Sequence, residues 1–493
     1  MSITYEYSSI FTAAFLVAMT LMTTFAMLKP RLLLFPYLIM LLMFTGTQYG
    51  ARDVDLTVYS RGIGVLSFPL VNIFLYVLFA AVFIRRRISR KNNHPPAMLD
   101  TTLLLMVTII FVYYLYGLAA DISLSNMVSQ YGLINIINLY ALYLMMRWWI
   151  SDDRQLDLFI KVFIYVTSLM ALYGVLRWGL FGGDPANYYL NFGGQATRLT
   201  YFDSGQGVLF SVLFVILYNR ARLSLDRGFK RWFYYFMMGL CLANIMLSFR
   251  RSLWFGLGLV FLWIFATSNV GRKFVILGVA LMALAFGSVI YKERFDTSYQ
   301  SRWATGITSD ITTKSGNIDL KEGRFSELYA AVGVANQHAL LGLGPWGINS
   351  PRVTPLKEHD FVHSSIIQVY IKTGLVGVAI YVGMLISYVV WWLRVRRRKW
   401  KNHYYRLLGD AFFCGFLVEL PDILFGTPLT IFRHSQIIAI IFSIPYVCLK
   451  LDSILQKGDT PTVESMRREA SEPRISLPAS IASPHRSRRL VKS

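Results

Sequence analysis

Two adjacent arginines, Arg250 and Arg251, stand in the segment LSFRRSLW between two apolar runs. A guanidinium offers a planar fork of donors that matches paired phosphate oxygens. At membrane depth it is costly unless paired or hydrated. The pair reads as an anion clamp at the mouth of a cavity, or as arginines snorkelling to the interface. Arg198 lies in the Gly-rich polar stretch GGQATRLTYFDSGQG, as a residue of a binding loop would. Asp203 is its salt-bridge partner or a site residue in its own right. His359 and His363, in EHDFVHSSIIQVYIKTGLVG, are four residues apart and would share a helix face. The stretch lacks the Glu between histidines that a zinc-protease helix requires, and no third ligand is evident, so no metal is expected. His363 suits a general base, or a donor to a phosphate or sugar hydroxyl, because imidazole titrates near neutrality. Its alternative is a structural histidine at a helix start. Lys372 follows with Gly374 and Gly377 nearby; buried, it needs an anionic partner or a hydrated cavity. Glu419 and Asp422 in FLVELPDILFG face Arg433 and His434 across a short connection. They read as ion pairs sealing a bundle end, or as a polar wall that binds sugar hydroxyls.

The elements that must position these residues are membrane helices. Of 493 residues 55% are hydrophobic and only 15% charged, against about 25% charged in a typical soluble domain. Long apolar runs recur from residue 9 to residue 449. A lone strand cannot satisfy its backbone in lipid, so each run is a helix candidate. The expected fold class is an all-α polytopic membrane protein with about 13 (12–14) transmembrane helices. Residues 1–450 form the bundle, with one large external loop at 291–362 inside it. Residues 451–493 form a basic tail, expected to be disordered near anionic headgroups. Of the 49 Lys and Arg, 33 fall on one set of alternating connections and in the tail. The positive-inside rule places that set, and the C-terminus, in the cytoplasm. The net charge of +22 is therefore a topology signal, and no nucleic acid is expected as partner. Within the loop, GRFSELYAAVGVANQHALLGLG reads as an amphipathic helix with Leu328, Ala331, Val332 and Ala335 at helical spacing, broken by Gly342 and Gly344. The three cysteines share no metal-ligand spacing.

The chemistry-bearing residues gather on the outer face and are not strung through the bilayer midplane, as a transporter path would be. No GxxxxGK loop binds a nucleotide. Energy then arrives in the substrate itself. Outside the cytoplasm a lipid-linked diphosphate is the natural donor. Arginines neutralise the leaving diphosphate, and a base activates an acceptor hydroxyl. That reaction is a glycosyl transfer.

Three segments resemble the family of O-antigen ligases and lipid-linked polysaccharide polymerases. LSFRRSLWFG is similar to the family's Ser-Arg segment at the outer start of a helix. Arg251 takes the arginine position and Arg250 replaces the Ser. GRFSELYAAVGVANQHALLGLGPWG resembles the family's loop helix followed by glycines. There Arg324 matches the second arginine, and His338 with Ala339 stands at the usual His-Pro. VHSSIIQVYIKTGLVG resembles His-Asn ending in Glu-x-Gly-x-x-Gly: His363 matches, Ser364 replaces Asn, and Lys372 replaces Glu. Arg198 also falls where the family tends to have an arginine.

The resemblance implies a metal-independent, cofactor-free, inverting glycosyltransferase of GT-C-like fold in the bacterial inner membrane, with a periplasmic active site. It implies catalytic roles for His363, Arg251 and Arg324, and diphosphate binding by Arg198, Arg250, Arg251 and Arg324. Asp203, His338, His359, Ser364, Lys372, Glu419, Asp422 and Arg433 are candidate glycan or acceptor contacts. The implied partners are an undecaprenyl-diphosphate-linked glycan, membrane lipids, and a flippase and chain-length regulator of the same pathway. The altered Ser364 and Lys372 positions and the extra span favour a polymerase of repeat units. A ligase acting on lipid A-core is the first alternative and a flippase of lipid-linked sugar the second.

Overall fold

The computed structural model describes residues 30–44, 69–88, 98–181, 204–223, 228–248, 250–270, 323–347, 362–426 and 428–457, with isolated helical positions within 17–28 and 273–285. Every regular element among them is helical. In chain order these are α1 (Pro30–Met43), α2 (Leu70–Ile88), α3 (Met98–Ala119), α4 (Ile134–Trp149), α5 (Asp153–Phe181) and α6 (Ser204–Arg222). They continue with α7 (Phe229–Leu247), α8 (Arg251–Thr267), α9 (Gly323–Gln337), α10 (Ser365–Arg396), α11 (His403–Phe425) and α12 (Phe432–Lys457). A short turn of helix, Leu124–Met127, and a 3-10 turn, Pro428–Thr430, join neighbours.

The expectation of about thirteen membrane-spanning helices is corrected. Among the described residues, four helices are long and apolar enough to cross a membrane: Met98–Ala119, Asp153–Leu180, Ser365–Arg396 and Phe432–Gln456. Leu33–Met43 and Ser252–Thr267 are apolar but shorter. The GT-C-like arrangement finds no support among the described residues. The reason is that an apolar run fixes hydrophobicity without fixing length. The 17 residues of α8 reach about 26 Å, short of a hydrocarbon core of about 30 Å. α2 ends in Arg85, Arg86 and Arg87, and α6 carries Gln206, Asn219, Arg220 and Arg222. The expected spans at 9–28 and 273–290 lie largely outside the described residues. The protein is nonetheless a multi-pass membrane protein.

The core is built on α12, which packs chiefly against α4 and α11; α11 packs on α8 and α6, and α6 on α7. α3 shows why these helices form one body in lipid. Leu99, Leu103, Met106 and Ile110 recur at helical spacing and are buried. Leu104, Leu105, Phe111, Val112 and Leu115 on the remaining faces are exposed, as a lipid-facing surface would be. α8 and α11 run antiparallel, with Gly256 against the Val418 backbone and Trp263 against Phe413 at 4.9 Å between rings.

The basic residues collect at one end of this body. Arg396 pairs with Asp410 at 2.7 Å and Arg398 with Asp452 at 2.9 Å. Arg147 is bonded to Asp100 and lies 5.0 Å over the Tyr446 ring. Arg86 lies over Trp148 at 4.7 Å. Guanidiniums held by carboxylates and indole faces are the packing expected where a bundle leaves the membrane.

Candidate functional site

The opposite end is organised by a break in α10. Gly374 has φ 65° and ψ −165°, a conformation open essentially to glycine alone. A break frees helical carbonyls and N–H groups, which in a membrane must be satisfied within the protein. Residues 339–344 do this. Leu343 N–H donates to Ile371 O at 2.8 Å, Gly344 N–H to Lys372 O at 2.9 Å, and Leu375 N–H to Ala339 O at 2.8 Å. The fit is interlocked: a Cβ on Gly342 would meet the backbone of Lys372 to Gly374, and a Cβ on Gly374 would meet the Leu340 carbonyl. Tyr113 donates to Leu341 O from α3, and Trp346 lies edge-on to Tyr113.

The break is a reversal. Ser365 and Tyr381, on either side of Gly374, lie beside each other. On a straight helix sixteen residues would separate them by about 24 Å. Residues 365–373 therefore fold back along residues 375–396. The reversal carries Ser365, just after His363 and Ser364 in the chain, to Tyr381, which is itself within electrostatic reach of Glu419 on α11. Residue spacing alone predicts neither the hairpin nor the Tyr381 contact. Gly374 and Gly377 marked the position without its consequence.

The expected amphipathic helix is present as α9. Ala331, Val334 and Ala335 are its buried positions, so Val334 replaces Val332 on the inner face. It packs on the first half of α10 through Ala331 and Ala335 against Val362 and Ile371. Tyr370 donates to Asn336 Oδ1 at 2.8 Å. Arg324 is the second residue of α9 and Arg251 the first of α8; their side chains lie outside the described residues. Arg198, Asp203 and His359 also lie outside them.

Arg250 is half-buried and caps α8 with extended backbone. From Gly256 against Val418, six residues back along α8 and six forward along α11 bring Arg250 level with the Asp422–Phe425 turn. Gly207, at the start of α6, meets Leu253 in the first turn of α8. The start of α6 thus lies beside the start of α8.

His363 is half-buried and Ser364 buried. The Ser364 hydroxyl accepts from Ile367 N at 3.4 Å and caps α10. Lys372 is fully buried, and its Nζ donates to Trp346 O at 2.5 Å. His338 is exposed just after α9. Arg433 is fully buried and donates to Leu41 O at 2.7 Å, Leu42 O at 3.1 Å and Gln206 Oε1 at 2.6 Å. The two carbonyls belong to the last turn of α1, which no intrahelical donor reaches. Glu419 and His434 form a buried pair at 2.6 Å, and with half-buried Asp422 bring three ligand-type atoms within 4.8 Å of one another. Two further chains of buried hydrogen bonds join neighbouring helices. Tyr37 donates to Gln436, which donates to Asn72; Asn138 donates to Asn135, which donates to Leu429 O.

The structure thus brings Arg250, His363, Ser364, Glu419, Asp422 and Arg433 to one end of the bundle, with α9 seated on the same hairpin. Residues 236–382 match the family model described as O-antigen ligase. This segment is a domain of that family. It contains both expected arginine positions, α9 and the reversal in α10. No curated protein matches the chain significantly. The match supports a general role in polysaccharide and O-antigen biosynthesis, carried by a domain similar to a glycan-processing enzyme family.

Proposed function

We propose that the protein is an O-antigen ligase, transferring glycan from undecaprenyl diphosphate to lipid A-core at the periplasmic face of the bacterial inner membrane. The observation that carries this is the family match, which runs from α7 into the second half of α10 and holds Arg251, Arg324 and His363. In this reading Arg251 and Arg324, with Arg198 and Arg250, bind the diphosphate and stabilise it as it leaves. His363 orients or deprotonates the acceptor hydroxyl. Attack from the face opposite the diphosphate inverts the anomeric centre, and no metal takes part. Glu419, His434 and Arg433 hold the floor on which the hairpin rests.

Polymerisation of lipid-linked repeat units is the second reading, since it uses the same donor. The two substitutions that favoured it weaken as arguments here. Ser364 caps a helix and Lys372 binds a backbone carbonyl, so both side chains have local work. Glycan from a deletion strain carrying wild type, Arg251→Ala or Arg324→Ala separates the readings. Long carrier-linked chains missing from the outer-membrane acceptor support the ligase. Single repeats on the carrier support the polymerase, and normal glycan from both variants rejects the assignment.

A further inference from the structure

The basic end holds a second pocket, remote from the candidate site. Arg406 and Glu419 lie thirteen residues apart on α11, about 20 Å along the helix. The pocket is a small, partly open cleft of about 30 Å³ between the ends of α6, α8 and α10 and the start of α11. Three arginines line it, one from each of three helices: Arg222, Arg396 and Arg406. The one carboxylate among its described lining residues is Asp410, which already accepts from Arg396 Nε at 2.7 Å. Among the described lining residues, three guanidiniums stand beside one carboxylate.

Two polar atoms in the lining are buried without a hydrogen bond among the described residues, the Ser268 hydroxyl and Arg406 Nε. Such groups are costly unless something occupies the space before them. The charges also reach His403, at the rim. Its imidazolium form is held down first by burial, then by Arg406 and Arg222. Beside the lining residues Trp263 and Ile264, Leu262 and Phe265 of α8 are exposed. A headgroup in the pocket would have an apolar track for its tails.

We propose that this pocket binds a phosphate group, carried by an anionic phospholipid of the surrounding leaflet. Arg222, Arg406 and the Ser268 hydroxyl donate to the phosphate oxygens, while Arg396 stays tied to Asp410 and stacked on Trp263 at 5.0 Å. Basic pockets between helices on the positive side of a membrane protein suit such headgroups. The site ties the ends of α6, α8, α10 and α11 together, the same helices whose other ends carry the candidate chemistry.

The test uses purified, delipidated full-length protein in neutral detergent. Dioleoylphosphatidylglycerol, dioleoylphosphatidylcholine and inorganic phosphate are added separately. The melting midpoint is followed, and bound lipid is counted by native mass spectrometry. Arg406→Gln and Ser268→Leu are compared with wild type; the second keeps every arginine but fills the pocket. The expected result is a midpoint rise and one retained phosphatidylglycerol for wild type, with affinity falling about tenfold or more in both variants. Phosphatidylcholine leaves the midpoint unchanged. An equal rise with inorganic phosphate, lost in the same variants, keeps the phosphate site but assigns it to the free ion. Equal phosphatidylglycerol retention by wild type and a folded variant overturns the proposal, as does its absence from wild type.

Discussion

Replacing Gly374 by alanine tests whether the reversal in α10 builds the candidate site. The new methyl would lie 2.3 Å from Leu340 O and 2.6 Å from Leu341 N, both backbone atoms that cannot swing away. A side chain at φ 65° and ψ −165° adds strain of about 1–3 kcal/mol. Forcing the overlap adds about 1–3 kcal/mol. Opening the hairpin instead loses the three bonds from 339–344 to 371–375, at about 1 kcal/mol each. The strain on the closed form, about 2–6 kcal/mol in all, rivals the bonds that hold it closed, so its population relative to the open form falls by about thirtyfold or more. Gly383→Ala is the control: it lies beyond the break with nothing within 4 Å of its Cβ. A helix-interior Gly→Ala there is neutral or stabilising. The assay is the glycan profile of a deletion strain, with membrane level and melting midpoint of each variant. Gly374→Ala should lower the midpoint and transfer while Gly383→Ala matches wild type. Wild-type glycan and midpoint from Gly374→Ala would refute the argument.

Glu419→Ala leaves His434 buried without its 2.6 Å partner and should cost about 3–5 kcal/mol, whereas Glu419→Gln keeps an acceptor and should cost much less. Equal melting midpoints for the two would show that the pair does not hold this end. Glu419, Asp422 and His434 form a geometry that a cation fits, yet the proposed transfer needs none. Chelator should leave purified activity unchanged, and a loss restored by a divalent ion would overturn that.

How much was legible in the sequence depended on which physics was local. Helix content, the basic end and α9 follow from composition, charge sign and residue spacing, all of which act over one or two turns. Span length did not, because apolar residues buried against protein look the same as apolar residues facing lipid: α6 is almost wholly buried in the bundle, while α3 presents a broad exposed side. The reversal at Gly374 was illegible for a related reason. Its cause lies in the loop at 339–344, some thirty residues away, whose N–H groups replace the broken helical bonds. By sequence Arg433 stands with Glu419 and Asp422, either as an ion pair sealing the bundle end or as a sugar contact. Its partners at Leu41 and Leu42 are nearly four hundred residues distant, and no spacing rule reaches them.

Lys372 carries the last argument, because it stands where the resembled family has Glu. Trp346 O accepts from Nζ, and the carbonyls of Ile371 and Lys372 are turned to the loop. A lysine donates into that setting and pins the segment between α9 and the hairpin. A carboxylate would meet a carbonyl with no donor between them, and at full burial such a mismatch costs about 3–5 kcal/mol. Lys372→Glu therefore restores the family's residue type while weakening this protein, and Lys372→Met, which loses the Trp346 bond but adds no charge, should be the milder change. Melting midpoints rank the three, and glycan yield should follow the same order. If Lys372→Glu is as stable and as active as wild type, the lysine is not the pin, and its contact with Trp346 is incidental.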